Sequence, residues 1–173
     1  MSAKDSDRIA RWTLYTSGAI LTLAGVLMIA DSIFGFVSEM VLLGISLLLS
    51  GANNLVPHFS MKDNPLRPAW LLPAGAADAL FGVLSLSHLF DPPAILAVWA
   101  LIAGCVRLYM FCAVGRSGVA KRWAALGSAA LMIAISALLL SRLPIAGVFS
   151  GVFLAAIGAA VANEGRMLYG RVS

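Results

Sequence analysis

At a spacing of about 53 residues this chain repeats itself, and each copy holds two long apolar runs. Trp12, Trp70 and Trp123 each open an apolar stretch, while Gly44, Ala97 and Gly151 recur at intervals of 53 and 54 residues. Gly51, Gly104 and Gly158 recur at the same intervals. A run of about 20 apolar residues, rising 1.5 Å per residue, crosses a hydrocarbon core of roughly 30 Å as a helix. The repeated unit is therefore a transmembrane helical hairpin. Lipid offers no partners to backbone N–H and C=O groups, so helices satisfy them internally. The alternating ten-residue pattern of a barrel strand is absent from the sequence. The predicted fold is all-α, a polytopic membrane bundle of six transmembrane helices from three tandem hairpin repeats. Its spans fall at about 12–31, 34–56, 70–90, 93–113, 121–141 and 144–163. The repeats run over about 9–56, 67–113 and 120–165 of a single transmembrane domain, 1–173.

Charge supports this reading. Hydrophobic residues make up 61% of the chain and charged ones 12%, against about a quarter charged in soluble domains. The net charge of +4 follows topology and does not point to nucleic acid. Lys4, Arg8, Arg11, Lys62, Arg67, Arg116, Lys121, Arg122, Arg166 and Arg171 fall in the tails and in the 57–69 and 114–122 loops, whereas the opposite tips carry only Arg142. The positive-inside rule then expects both termini in the cytoplasm. The first span follows basic residues but is longer than a signal-peptide core and is followed by no convincing small-x-small cleavage site, so it reads as an uncleaved anchor.

Little chain remains outside the membrane. The 57–69 loop, with Pro57, Pro65 and Pro68, reads as irregular, and the other turns are short. Cys105 and Cys112, seven apart on one helix face, are too distant to bridge and read as apolar fillers. His58 lies in one loop and His88 in an opposite turn, so no metal site is expected. Nucleophile motifs, phosphate loops and paired catalytic carboxylates are absent from the sequence, so no catalytic residue, cofactor or enzyme activity is expected.

The Trp-led hairpins, the glycine near the end of each second helix and the segment Ala103-Gly104-Cys105-Val106-Arg107-Leu108 resemble the HdeD-type family of acid-resistance membrane proteins. The resemblance covers about residues 9–165. It implies a six-helix bacterial inner-membrane protein with a role in survival at low pH, and supplies no catalytic residues. The chain departs from the pattern in repeat one, whose turn has Gly35 but no proline. It departs again where Asn54, Arg107 and Val161 occupy matching positions.

Three groups of residues stand out. Asp78 lies deep in span three, where an ionisable group costs several kcal/mol unless paired, hydrated or protonated. Arg107 lies at similar depth in span four, and Asn54 is nearby in span two. Three readings are open: an Asp78–Arg107 ion pair that locks the hairpin, a polar pathway or proton-sensitive switch lined by all three, or an Arg107 that snorkels away from a protonated Asp78. Asp31, Glu39, His88 and Asp91 would form an acidic outer rim, read either as hydrated interfacial charge or as a sensor of exterior pH. Gly147, Gly151, Ala155 and Gly158 form a small-residue stripe on span six. Gly127, Ala130, Ala134 and Ala137 form a similar one on span five. Such stripes let helices approach closely, within the bundle or against another copy or subunit.

These features suit a non-enzymatic inner-membrane protein of acid or envelope stress. A small transporter or channel, or an accessory subunit or assembly factor of a larger complex, are the alternatives. The expected partners are the lipid bilayer and, through small-residue faces, a homo-oligomer or membrane complex.

Overall fold

The computed structural model describes residues 3–35, 37–60, 70–113, 119–141 and 147–169. They form six helices: α1 (Ala3–Phe34), α2 (Glu39–Ser60), α3 (Leu71–Leu86), α4 (Pro92–Ala113), α5 (Val119–Leu140) and α6 (Gly147–Tyr169). Among the described residues, four helices are long and apolar enough to cross a membrane, and α3 and the 125–140 part of α5 are shorter apolar helices. Lys62, Arg67, Arg116, Arg142 and Arg171 lie outside the described residues. Successive helices run antiparallel. The end where α1 begins and α6 finishes is called proximal below, and the other distal.

Two distal turns share a backbone solution at matching repeat positions. Gly35 and His88, 53 residues apart, both adopt left-handed φ values, 66° and 54°. At Gly35 the backbone N–H closes onto the Asp31 carbonyl and ends α1 in the manner of a left-handed cap. At His88 the N–H bonds the Ser85 carbonyl, so α3 stops at Leu86, four residues short of the expected end at 90. The proximal end of α2 differs in the opposite sense. Its helix continues through Pro57 to Ser60, so His58 is a buried helical residue, not the loop residue expected. Pro57 has no N–H to offer the Asn53 carbonyl, so the helix continues with one backbone bond fewer.

The closest seams of the bundle are not within the hairpins. They join α2 to α3, α4 to α5 and α6 back to α1, closing a ring in which each hairpin's second helix packs on the first helix of the next. Small residues seven apart make each seam. A β-carbon added at Gly51 would stand 2.8 Å from Ala79 N and 3.0 Å from Gly75 O. One added at Gly104 would stand 3.3 Å from Ala129 O, and one at Gly158 2.7 Å from Gly18 O. Gly44 faces Gly82 and Gly151 faces Gly25 in the same way, one heptad away. These glycines therefore mark a pseudo-threefold axis, and backbone-to-backbone dispersion supplies the packing that hydrophobicity cannot supply in lipid. The span-six stripe of Gly151, Ala155 and Gly158 lies against α1, with Gly147 opening the helix. The span-five stripe does not pack as expected. Gly127, Ala130, Ala134 and Ala137 face outward, and nothing lies within 4 Å of a β-carbon at Gly127.

Candidate functional site: a charged core at the proximal half of the axis

The helix α2 carries a buried polar stripe, Ser46, Ser50, Asn54 and His58, at four-residue spacing. Residues four apart on a helix share a face, so this stripe points along the bundle interior. Asp78 of α3, 6% exposed, meets its middle. Its Oδ2 accepts from Ser50 Oγ at 2.6 Å and from Asn54 Nδ2 at 3.2 Å, while Oδ1 accepts from the Trp99 indole N–H of α4 at 2.8 Å. Three neutral donors from two neighbouring helices thus hold this carboxyl group.

Arg107 goes elsewhere. Its Nε donates to Glu164 Oε2 of α6 at 3.0 Å, and Ser128 Oγ of α5 donates to Glu164 Oε1. Glu164 is 1% exposed and Arg107 11% at the side chain, so this ion pair is withdrawn from solvent and lipid. Among the described residues the Asp78–Arg107 ion pair, one of the three readings, does not form: the guanidinium meets the Glu164 carboxylate, and neutral donors hold Asp78. The snorkelling alternative fails as well, since Arg107 stays inside the bundle. What the two groups do share is a wall. Asp78, Asn54 and Arg107 all line one axial cavity of about 20 Å³.

Pseudo-threefold symmetry explains why this place is polar. Asn54, Arg107 and Val161 occupy equivalent positions, and all three line the cavity. A core position that converges on the axis from three repeats is filled by an amide, a cation and an isopropyl group. A second polar cluster, on α1 and α2, lies in the same half: Asn53 Nδ2 donates to Thr13 O and Ser17 Oγ, and Thr16 Oγ1 donates to Asn53 Oδ1. In the distal half, the described buried polar side chains are the serines Ser46, Ser85, Ser136 and Ser150.

The outer-rim residues occupy two separate distal turns. Asp31 Oδ1 accepts from Val37 N, and Glu39 Oε1 accepts from Ser32 Oγ at 3.2 Å, so both brace the α1–α2 turn. Exposed His88 and Asp91 belong to the α3–α4 turn, where the Asp91 carbonyl accepts from Ala94 N and Ile95 N. No hydrogen bond or ion pair among the described residues joins the two turns into one cluster.

Sequence reasoning missed two members of the core. Glu164 lies one residue past the expected end of span six at 163. Its spacing carried the signal: Leu154, Ile157, Val161 and Glu164 follow a 3-4-3 pattern, and all four are buried. Trp99 stands in an otherwise apolar stretch of span four. A tryptophan in mid-span, away from the interfaces where indoles gather, needs a buried acceptor for its N–H.

Residues 16–87 match the model of a family described as a short repeat of unknown function (DUF308), which includes HdeD-like membrane proteins. The match covers most of α1, all of α2 and α3, and the Ser50–Asn54–Asp78 part of the core. No curated protein and no solved structure matches the chain. The chain is thus an integral-membrane type helical bundle whose first half is similar to that repeat.

Proposed function

We propose that this is a non-enzymatic protein of the bacterial inner membrane, with both termini in the cytoplasm, acting in acid or envelope stress in the manner of HdeD-type proteins. One observation carries the reading. The ionisable groups of the core, His58, Asp78, Arg107 and Glu164, are gathered in the proximal half of the axis, and the buried distal half holds only serine hydroxyls among its described polar side chains. Such an arrangement binds protons at a fixed depth and offers no polar passage across the bundle. This favours sensing or sealing over conduction, and weighs against the small transporter or channel. The accessory-subunit alternative draws support from the outward small-residue face of α5.

The test is survival at low pH of a deletion strain, complemented with wild type or with Asp78→Asn at matched membrane levels. Loss of survival restored only by wild type supports the stress role and places the core carboxyl group in it. A deletion strain that survives as well as its parent overturns the reading. A reporter fused after residue 169 should read as cytoplasmic, and an exported signal there removes the proposed orientation.

A further inference from the structure

Two buried polar atoms at the axial cavity have no hydrogen-bond partner: the Trp70 indole N–H, a donor, and Asn54 Oδ1, an acceptor. Both side chains are more than nine-tenths buried. Leaving either unmatched away from water costs about 1–3 kcal/mol. Both residues line the same axial cavity, whose volume is about 20 Å³. A cavity needs roughly 10–15 Å³ to hold a water molecule, so there is room for one. The otherwise largely apolar wall also carries Asp78, whose Oδ1 accepts one hydrogen bond, from Trp99, where Oδ2 accepts two. A carboxylate oxygen can take a second.

We propose that the axial cavity is a single-water binding site, and that this water is the proton-exchange partner of Asp78. The water accepts from Trp70 Nε1–H and donates to Asn54 Oδ1 and Asp78 Oδ1, which satisfies the one orphaned donor and the one orphaned acceptor together. When it arrives protonated, an O–H bond of the hydronium breaks and an O–H bond forms on Asp78. Neutral water remains and the carboxylate charge is lost. The charged and titratable groups around Asp78 are Arg107 from α4 and, held by Arg107, Glu164 from α6. The helix α2 adds His58, one turn beyond Asn54 and itself buried with an unpartnered Nδ1. The cavity wall from α1 is Leu14, Ser17 and Leu21, with no charge.

The site is independent of the stress role, because it is read on purified protein. The chain has four tryptophans, so a sample labelled with ¹⁵N-tryptophan in phosphatidylethanolamine/phosphatidylglycerol vesicles gives four indole signals. Water-edited solid-state NMR should show magnetisation passing from water to the Trp70 indole. In deuterated buffer the Trp99 proton, beside Asp78 Oδ1, should exchange measurably. Asn54→Leu removes the acceptor and fills the space, and should abolish the Trp70 transfer and slow Trp99 exchange at least about tenfold. Ala74→Val fills the same cavity while leaving every polar atom in place, and should act alike if Asn54→Leu does not fold. A wild-type Trp70 signal without water transfer, or a Trp99 exchange rate that neither variant changes, overturns the proposal.

Discussion

Arg107 and Glu164 are separated by 57 residues of chain and stand 3.0 Å apart across α4 and α6. Neither is on the helix that follows the other. The pair ties the third repeat to the second on the inside of the ring, where Glu164 also accepts from Ser128 of α5. Burial makes the bond a strong constraint on partner choice, since either member alone would be an uncompensated charge.

Removing one partner should therefore cost more than removing both. Arg107→Leu or Glu164→Leu is expected to lower stability by about 3–5 kcal/mol, the usual result of orphaning a buried charge. The double variant should recover a large part of that loss. Thermal unfolding in detergent for the four proteins of the cycle measures it, and additive losses would show that the two side chains are not coupled.

At Asp78 the expected effect is local and optical. Asparagine offers one acceptor oxygen to three donors and turns its own N–H₂ toward them, so Asp78→Asn should cost about 1–3 kcal/mol for each donor left unmatched. Trp99 reports the change directly because its indole bonds Oδ1. Its NMR signal should shift, while those of Trp12 and Trp123, both exposed on the outer surface, should hold still. An unmoved Trp99 signal would show that the indole bonds something else.

The seams make opposite predictions for two glycines. At Gly151 a β-carbon would come within 2.7 Å of Gly25 O and 2.9 Å of Ile29 N, backbone atoms that cannot rotate away. Gly151→Ala should push α6 off α1 and destabilise the bundle by about 1–3 kcal/mol. Gly127 faces open space, so Gly127→Ala should stabilise α5 by up to about 1 kcal/mol through helix propensity. Melting temperatures that move in the same direction for both would contradict the placement of the seams.

The paired distal turns can be tested by exchange of residue type. His88 holds a left-handed φ of 54°, which costs a non-glycine residue roughly 1 kcal/mol or more. His88→Gly should be neutral or stabilising by up to about 1 kcal/mol. Gly35→Val should be destabilising, because a β-branched residue fits that conformation poorly. Denaturation midpoints of the two variants distinguish these outcomes.

Much of this architecture was legible from spacing. Apolar run length and the 53-residue interval foretold six helices and three hairpins, because both depend only on bilayer thickness and helix rise. Asp78, Asn54 and Arg107 stood out because a charge or amide in a span must be accommodated. Partner choice was not legible. Whether Arg107 meets Asp78 or Glu164 depends on how α6 closes against α1 and α4, a long-range fact that neighbouring residues do not encode. Hydropathy also misplaced the ends around His58 and Glu164, because α2 runs on through Pro57 to Ser60 and α6 runs on past the apolar stretch to Tyr169. The rim of Asp31, Glu39, His88 and Asp91 shared one end of the chain's topology, but end-sharing alone does not bring two turns together.

Closure of the ring by α6 imposes an order on biosynthesis. Helices inserted one after another can complete the α2–α3 seam and then the α4–α5 seam as each partner emerges. The Gly18 and Gly25 face of α1 has no such early partner, because the residues that fit it, Gly158 and Gly151, are made last. Until then the first helix waits in the bilayer with its backbone groove open, and Arg107 waits for Glu164. The α1 seam and the Arg107–Glu164 pair thus both depend on α6, and a chain cut before that helix would lack the two contacts together.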